Sequence, residues 1–276
     1  MPSLQSPLLA HLEAVARPRH LHWNRLGLLA VRSYLAEQLG ALGPVEEHRF
    51  NESCGEGVNL LLRLPGHKHD LPPLLVGAHY DGPLESIGAD DNASGIAALL
   101  VLAQRWAVDP PQRPVWIVAF DQEEWGMVGS GVLARQLRQS GQKLQLMVSL
   151  EMLAYTSETQ DYPISAMRRI YGDRGDFIAV IGNTGAARFL PGLARRIGRH
   201  VPTKLLPVPN KGHMLPDVRL SDHSPFWDAG YDAIMVTDTS FMRNPHYHRM
   251  SDTIDTLDLP FLAAVTDGLD AALRRI

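Results

Sequence analysis

The chain has a single cysteine, Cys54. One thiol excludes an intrachain disulfide and a thiolate-rich zinc site. Long apolar runs are also missing: the longest, "GIAALLVLA", is far too short to span a bilayer. Charge of either sign is not in excess, because 26 Lys and Arg against 30 Asp and Glu leave a net charge of −4. That balance gives no electrostatic reason to expect nucleic acid or an acidic membrane as partner. The opening stretch "MPSLQSPLLAHLEAV" lacks a basic region, and His11 and Glu13 interrupt its apolar residues. It reads as an amphipathic helix rather than a signal peptide, so a cytoplasmic location is expected. Repeats, low-complexity tracts and linkers are absent, so residues 1–276 are expected to form one domain.

What is present is an ordinary globular composition, 45% hydrophobic and 20% charged over 276 residues. Helical spacing fits residues 4–16 and 22–40, the second carrying Leu28, Val31, Leu35 and Leu39 and ending at Gly40. Further helices are expected at 93–107, 128–139, 185–199 and after 257. Between them lie short apolar runs: "VNLLLRL", "PPLLVGAHY", "PVWIVAF", "LQLMVSLEM", "DFIAVIG" and "YDAIMVTD". Apolar strands alternating with helices indicate an α/β fold of three layers, with a central, mostly parallel mixed sheet covered by helices on both faces. Two irregular stretches, 154–176 and 207–222, break the alternation and are expected to lie over the sheet edge as caps.

The segment "GAHYDGPLESIGADDNASG", residues 77–95, places His79, Asp81, Asp90 and Asp91 directly after a buried strand. Clustered acids beside a buried strand are costly unless positive charge sits among them. In open α/β sheets, sites form beyond the carboxyl ends of the strands. His79 and Asp81 follow one strand, Glu123 and Glu124 follow "VWIVAFDQ", Glu151 ends "LMVSL", and His248 follows "AIMVTDTSF". Each alone has a structural reading. An isolated pair of glutamates sits on a solvated helix face, a lone His79 is a core histidine, and Asp90 and Asp91 cap the next helix. Together they form a nitrogen and oxygen donor set without sulfur, which suits zinc or a similar divalent ion. Five candidate ligands around a shared carboxylate suit two ions roughly 3.5–4 Å apart.

The ordered motifs "HYD…GADDNASG…EEWG…SLEM…YHRMSDT", spanning 77–256, resemble the di-zinc aminopeptidase family, which also contains glutamate carboxypeptidases and glutaminyl cyclases. The resemblance implies a zinc-exopeptidase fold with roles assigned position by position, and with zinc, two ions per chain, as cofactor. It makes His79 a terminal ligand of one ion, Asp91 the bridge, and Glu124 and His248 ligands of the other ion. Glu151 takes the first ion's second terminal position, where many relatives carry aspartate. Glu123 matches the general acid/base, and Asp81 would orient His79, as Asp252 would His248. His246 competes with His248, which is favoured by its place ahead of "MSDT". His223, in "LSDHSPFW", reads as a structural or substrate-side residue. The resemblance also implies a cis peptide between Asp91 and Asn92.

The activity so implied is an exopeptidase acting on peptides with a free N-terminus, in which the ions activate a bridging water and Glu123 moves its proton. An apolar pocket for the first side chain is expected from Tyr155, Tyr162, Ile164, Met167, Met214 and Leu215. The alternatives on the same scaffold are a glutaminyl-peptide cyclotransferase, a catalytically dead binding module, and a dipeptidase or carboxypeptidase. The last would use an arginine such as Arg168 or Arg243 to grip a carboxylate.

Overall fold

The computed structural model describes residues 4–276. The first three positions, which the readings of the opening stretch and of the domain span include, lie outside the described residues. Among the described residues, eight strands form one mixed sheet: β1 (Val45–Glu52), β2 (Gly55–Leu64), β3 (Leu74–His79), β4 (Val115–Phe120), β5 (Leu146–Glu151), β6 (Ile178–Asn183), β7 (Thr203–Val208) and β8 (Ala233–Thr237). Their spatial order is β1-β2-β4-β3-β5-β8-β6-β7. The central run β4-β3-β5-β8 is parallel, whereas β1, β2 and β6 introduce the antiparallel pairings.

The strands separate two cores by side-chain alternation. Val115, Ile117 and Ala119 of β4 join one apolar cluster, while Trp116, Val118 and Phe120 face the other. The larger cluster packs under α1 (Gln5–Val15), α2 (Arg25–Gly40), α3 (Gly95–Val108), α6 (Leu190–Ile197) and α8 (Leu259–Leu273). The opposite face is covered by α4 (Val128–Gln139) and α7 (His223–Asp228). α3 is apolar nearly all round, consistent with its burial between the sheet and other helices. A short α5 (Met167–Tyr171) lies within the first irregular stretch. Among the described residues, no helix is long and apolar enough to cross a membrane.

Two strands, β1 and β7, are not expected from the sequence. Both are sheet edges. β1 reads "VEEHRFNE", with only Phe50 buried, and β7 contains Pro207. Edge strands need not alternate strictly or donate every backbone N–H, so their apolar signal is weak.

Candidate metal centre

The parallel strands end side by side, and their carboxyl ends deliver the site. His79 is the last residue of β3 and Glu151 the last of β5, while Glu123 and Glu124 follow β4. Asp91 lies in the tight turn Ala89–Ser94 that leads into α3, and its peptide bond to Asn92 is cis, as the resemblance implied. Gly88 makes that turn possible. It has φ of +56°, and a Cβ there would sit 2.0 Å from the Asp91 carbonyl oxygen and 2.8 Å from Arg19 Nη2. His248 comes from the loop after β8.

Asp91 stands between the two histidines. Its Oδ1 is 3.3 Å from His79 Nε2, and its Oδ2 is 3.1 Å from His248 Nε2. Glu151 Oε2 lies 3.6 Å from His79 Nε2, and Glu124 Oε2 lies 3.3 Å from His248 Nε2. Two sets of ligand atoms, His79–Asp91–Glu151 and Asp91–Glu124–His248, are each gathered within 4.8 Å and share Asp91. Glu123 falls in a third set with His79 and Glu124, both already members of the first two. Its carboxylate is 3.9 Å from His79 Nε2. His246 is elsewhere: it bonds Ser251 Oγ at 2.9 Å and packs its ring edge against Tyr155.

The electrostatics ask for cations. Burial opposes protonation of His79, yet Glu123, Glu151, Asp81 and Asp91 hold it well above its ordinary pKa. Burial likewise opposes it at His248, but Asp91 and Glu124 carry that imidazole up to about 10. Burial, with Asp91 beside it, pushes Glu124 up to about 7, and burial with Glu151, Asp222 and Glu124 raises Glu123 strongly. Asp91 goes the other way, because the two imidazoles outweigh its burial. Glu124 Oε1 is buried without a hydrogen-bond partner. A largely buried cluster of carboxylates and imidazoles with an unsatisfied oxygen fits divalent ions with oxygen and nitrogen ligands, zinc among them.

The supporting residues differ from expectation. Asp81 Oδ1 lies 3.4 Å from His79 Nδ1, while its two oxygens accept the backbone N–H groups of Glu123 at 3.0 Å and Glu124 at 3.1 Å. Asp81 thus fixes the glutamate pair more directly than it fixes His79. Asp252 does not hold His248; its carboxylate accepts the backbone N–H groups of Asp90 and Asp91 at 2.9 and 3.2 Å. Asn92 donates to the Leu150 carbonyl and accepts from the Met152 N–H, tying the turn to the end of β5. Ser221 Oγ donates to Glu151 Oε2 at 2.8 Å. His223 is structural, buried with Nε2 2.8 Å from the Val218 carbonyl and its ring against Trp227.

Arg19 escaped the sequence reading. It is fully buried, and its guanidinium donates to the carbonyls of Val15, Arg17, Tyr80, Ile87, Gly88 and Asp91. It therefore clamps the α1 exit, the β3 exit and the Asp91 turn together. The stretch "ARPRH" carries no local signal of this, since the partners of Arg19 are all backbone groups.

Beside the centre lies a cavity of about 290 Å³, which the two irregular stretches help to enclose. Tyr162, Met167 and Leu215 line it as expected, but Tyr155, Ile164 and Met214 do not. Ile164 and Met214 are exposed instead. Much of the wall comes from the sheet, through Phe177 just before β6, Ala179 and Ile181 of β6, and Met235 of β8.

Peptidase family M28 matches residues 59–272, a span containing every candidate ligand. The chain belongs to this family. This family-M28 chain is 36% identical over 216 residues to the uncharacterized protein YfbL of Escherichia coli K12, covering 72% of this chain and 66% of that protein. It is 34% identical over 127 residues to a vacuolar membrane protease of Candida albicans, 43% of this chain and 15% of the relative. The matched region is thus just under two thirds of the bacterial relative and a small part of the fungal one. Among solved structures, the LapA aminopeptidase of Legionella pneumophila superposes with a TM-score of 0.72 at 17% identity, covering 97% of this chain and 72% of that one. A glutaminyl cyclase from an Acidobacteriales bacterium gives 0.70 at 18% identity, covering 99% and 93%. A zinc aminopeptidase from Bacillus subtilis gives 0.61 at 22%, covering 81% and 51%. These likenesses show a common fold, and the matching family is one of peptidases.

Proposed function

We propose that the chain is an aminopeptidase that holds two zinc ions and removes the N-terminal residue of peptides. One observation carries this reading: two ligand sets that share Asp91. His79, Asp91 and Glu151 would hold one ion, and Asp91, Glu124 and His248 the other. When bound, zinc supplies Lewis acidity toward a peptide carbonyl and acidifies water.

The rest is work for the chain's own groups. Glu123 belongs to neither Asp91-centred set and stands beside both, so its carboxylate takes a proton from water and returns it to the leaving amine. Burial with acidic neighbours raises its proton affinity above that of an exposed glutamate. Asp81 holds the backbone that carries Glu123, so the base is oriented before substrate arrives.

Polarity follows from charge. A bound ion would hold a free α-amine, and the carboxylates of Asp91, Glu123, Glu124 and Glu151 offset the two ions' charge, so no excess positive charge is left there to draw a substrate carboxylate. Neither arginine required by the carboxypeptidase alternative lines the cavity. Arg243 is buried and bonds Gln160 and the Phe177 carbonyl, while Arg168 pairs with Asp161. The walls beside the centre, built from Ile181, Met235, Leu206 and Val218, favour an apolar first side chain.

The test is hydrolysis of leucine amides with the zinc-loaded protein. Free leucyl substrates should be cleaved and their N-acetyl forms refused; equal rates would end the amine-anchoring reading. Cyclisation of an N-terminal glutaminyl peptide without hydrolysis would replace it with the cyclotransferase.

A further inference from the structure

The cavity is not apolar throughout. Lys204, on the edge strand β7, lines it together with Leu205 and Leu206. Its ammonium stands 5.8 Å from the centroid of the Phe177 ring and enters no ion pair among the described residues. Tyr162, on the first cap stretch, also lines the cavity, and its hydroxyl is buried without a hydrogen-bond partner. The Arg243 guanidinium lies 4.5 Å from the centroid of the same Phe177 ring. Arg243 is 6% exposed, and its Nη2 is buried and unpartnered. Asp217 lines the cavity too, but it forms no ion pair with Lys204.

A buried hydroxyl without a partner is costly, and the half-buried Lys204 ammonium has no carboxylate within ion-pair distance among the described residues. Here such groups come from separate elements, β7 and the first cap, onto one chamber that Asp91, Glu123, Glu124 and Glu151 of the metal centre also line. With those carboxylates committed to the ions they would hold, Lys204 leaves cationic charge near Phe177 that can draw a substrate carboxylate.

We propose that Lys204, with the Tyr162 hydroxyl, forms a carboxylate-binding subsite at the Phe177 end of the cavity. The proposal rests on the aminopeptidase reading and narrows its substrates to peptides that bring a carboxylate into the chamber along with their free amine. That carboxylate belongs either to the C-terminus of a dipeptide or to an acidic first side chain. Lys204 supplies charge and the Tyr162 O–H donates a hydrogen bond.

Two substrate pairs separate the sources in the zinc-loaded full chain. Leucyl-leucine against leucyl-leucinamide reads the C-terminus, and glutamyl-leucinamide against methionyl-leucinamide reads the side chain. In at least one pair the carboxylate-bearing member should have the lower KM, by about tenfold or more, as expected for a hydrogen bond to a charged group. Lys204→Met should abolish that preference while changing kcat/KM on leucyl-leucinamide less than about twofold, and Lys204→Arg should retain it. Tyr162→Phe should weaken it in part. Equilibrium binding of the same compounds to the Glu123→Gln variant, measured by calorimetry, should show the same preference without turnover. Equal affinities within both pairs, or a preference that survives Lys204→Met, would overturn the subsite. Failure of the wild type to cleave any of the four compounds would instead remove the aminopeptidase reading, and the binding comparison would still decide the carboxylate preference.

Discussion

Asp81 Oδ2 accepts the backbone N–H of Glu124 at 3.1 Å, across 43 positions of sequence. Its other oxygen accepts the N–H of Glu123. One buried carboxylate therefore sets the position of both glutamates at the end of β4. Asp81→Asn keeps the size but replaces one acceptor oxygen with an amide donor facing an N–H. Zinc affinity and kcat/KM should both fall, by about 10- to 100-fold, with little change in fold. Metal analysis after dialysis, together with leucyl-substrate kinetics, checks this. Unchanged values in both would mean that the glutamate pair is held by other contacts.

Adjacent glutamates should behave differently. Glu123→Gln should keep its zinc and lose turnover by about 10²–10⁴-fold, because an amide cannot shuttle a proton. Glu124→Gln should lower zinc content first, since its carboxylate belongs to the His248 set. The same defect in both variants would show the two roles to be wrongly divided.

Asp91→Ala should be the most damaging ligand change, because both sets contain that residue. It should abolish binding of both ions, whereas Glu151→Ala should weaken the His79 set alone. Metal-to-protein ratios of the two variants test the bridge directly. Chelation of the wild type should also lower its thermal midpoint, since an ion bound only by the folded state stabilises it. An unchanged midpoint in the presence of a strong chelator would speak against bound metal.

Arg19→Met should destabilise the chain by at least about 3 kcal/mol, because it leaves several buried carbonyls unsatisfied. Urea unfolding measures the loss. Arg19→Lys should recover only part of it, since an ammonium has three donors and no planar fork. A Met variant within about 0.5 kcal/mol of wild type would show that the clamp is dispensable.

Burial pushes the His223 imidazole down to about 3. Its folded pKa is thus below the unfolded value, so the unfolded chain binds a proton first as pH falls. The stability that neutral His223 contributes is whole above about pH 6.5 and is lost as pH falls from there toward 3, by up to about 1.4 kcal/mol per pH unit. His223→Gln can still donate to the Val218 carbonyl but does not titrate in this range. Its unfolding free energy should depend less steeply on pH between 6 and 4 than that of the wild type. Parallel curves would show that His223 does not titrate on unfolding in that range.

The sequence by itself determined the layered α/β fold and the residues that meet at its centre. Apolar strands such as "VWIVAF" announce burial on both faces, and a donor residue at the end of each places the site beyond the carboxyl ends of parallel strands. Those features are local, because residue type and distance along the chain suffice to read them. Tertiary structure decided what depends on pairing between distant segments. It made Asp81 the holder of the Glu123–Glu124 backbone and Asp252 the holder of the Asp90–Asp91 turn, because a carboxylate's partner is whichever N–H the fold brings to it. It buried Arg19 among six carbonyls, which no side-chain pattern encodes. It also brought Lys204, from an edge strand with too weak an apolar signal to be read, to the same cavity as Glu151, through the strand order β5-β8-β6-β7 that chain order does not reveal.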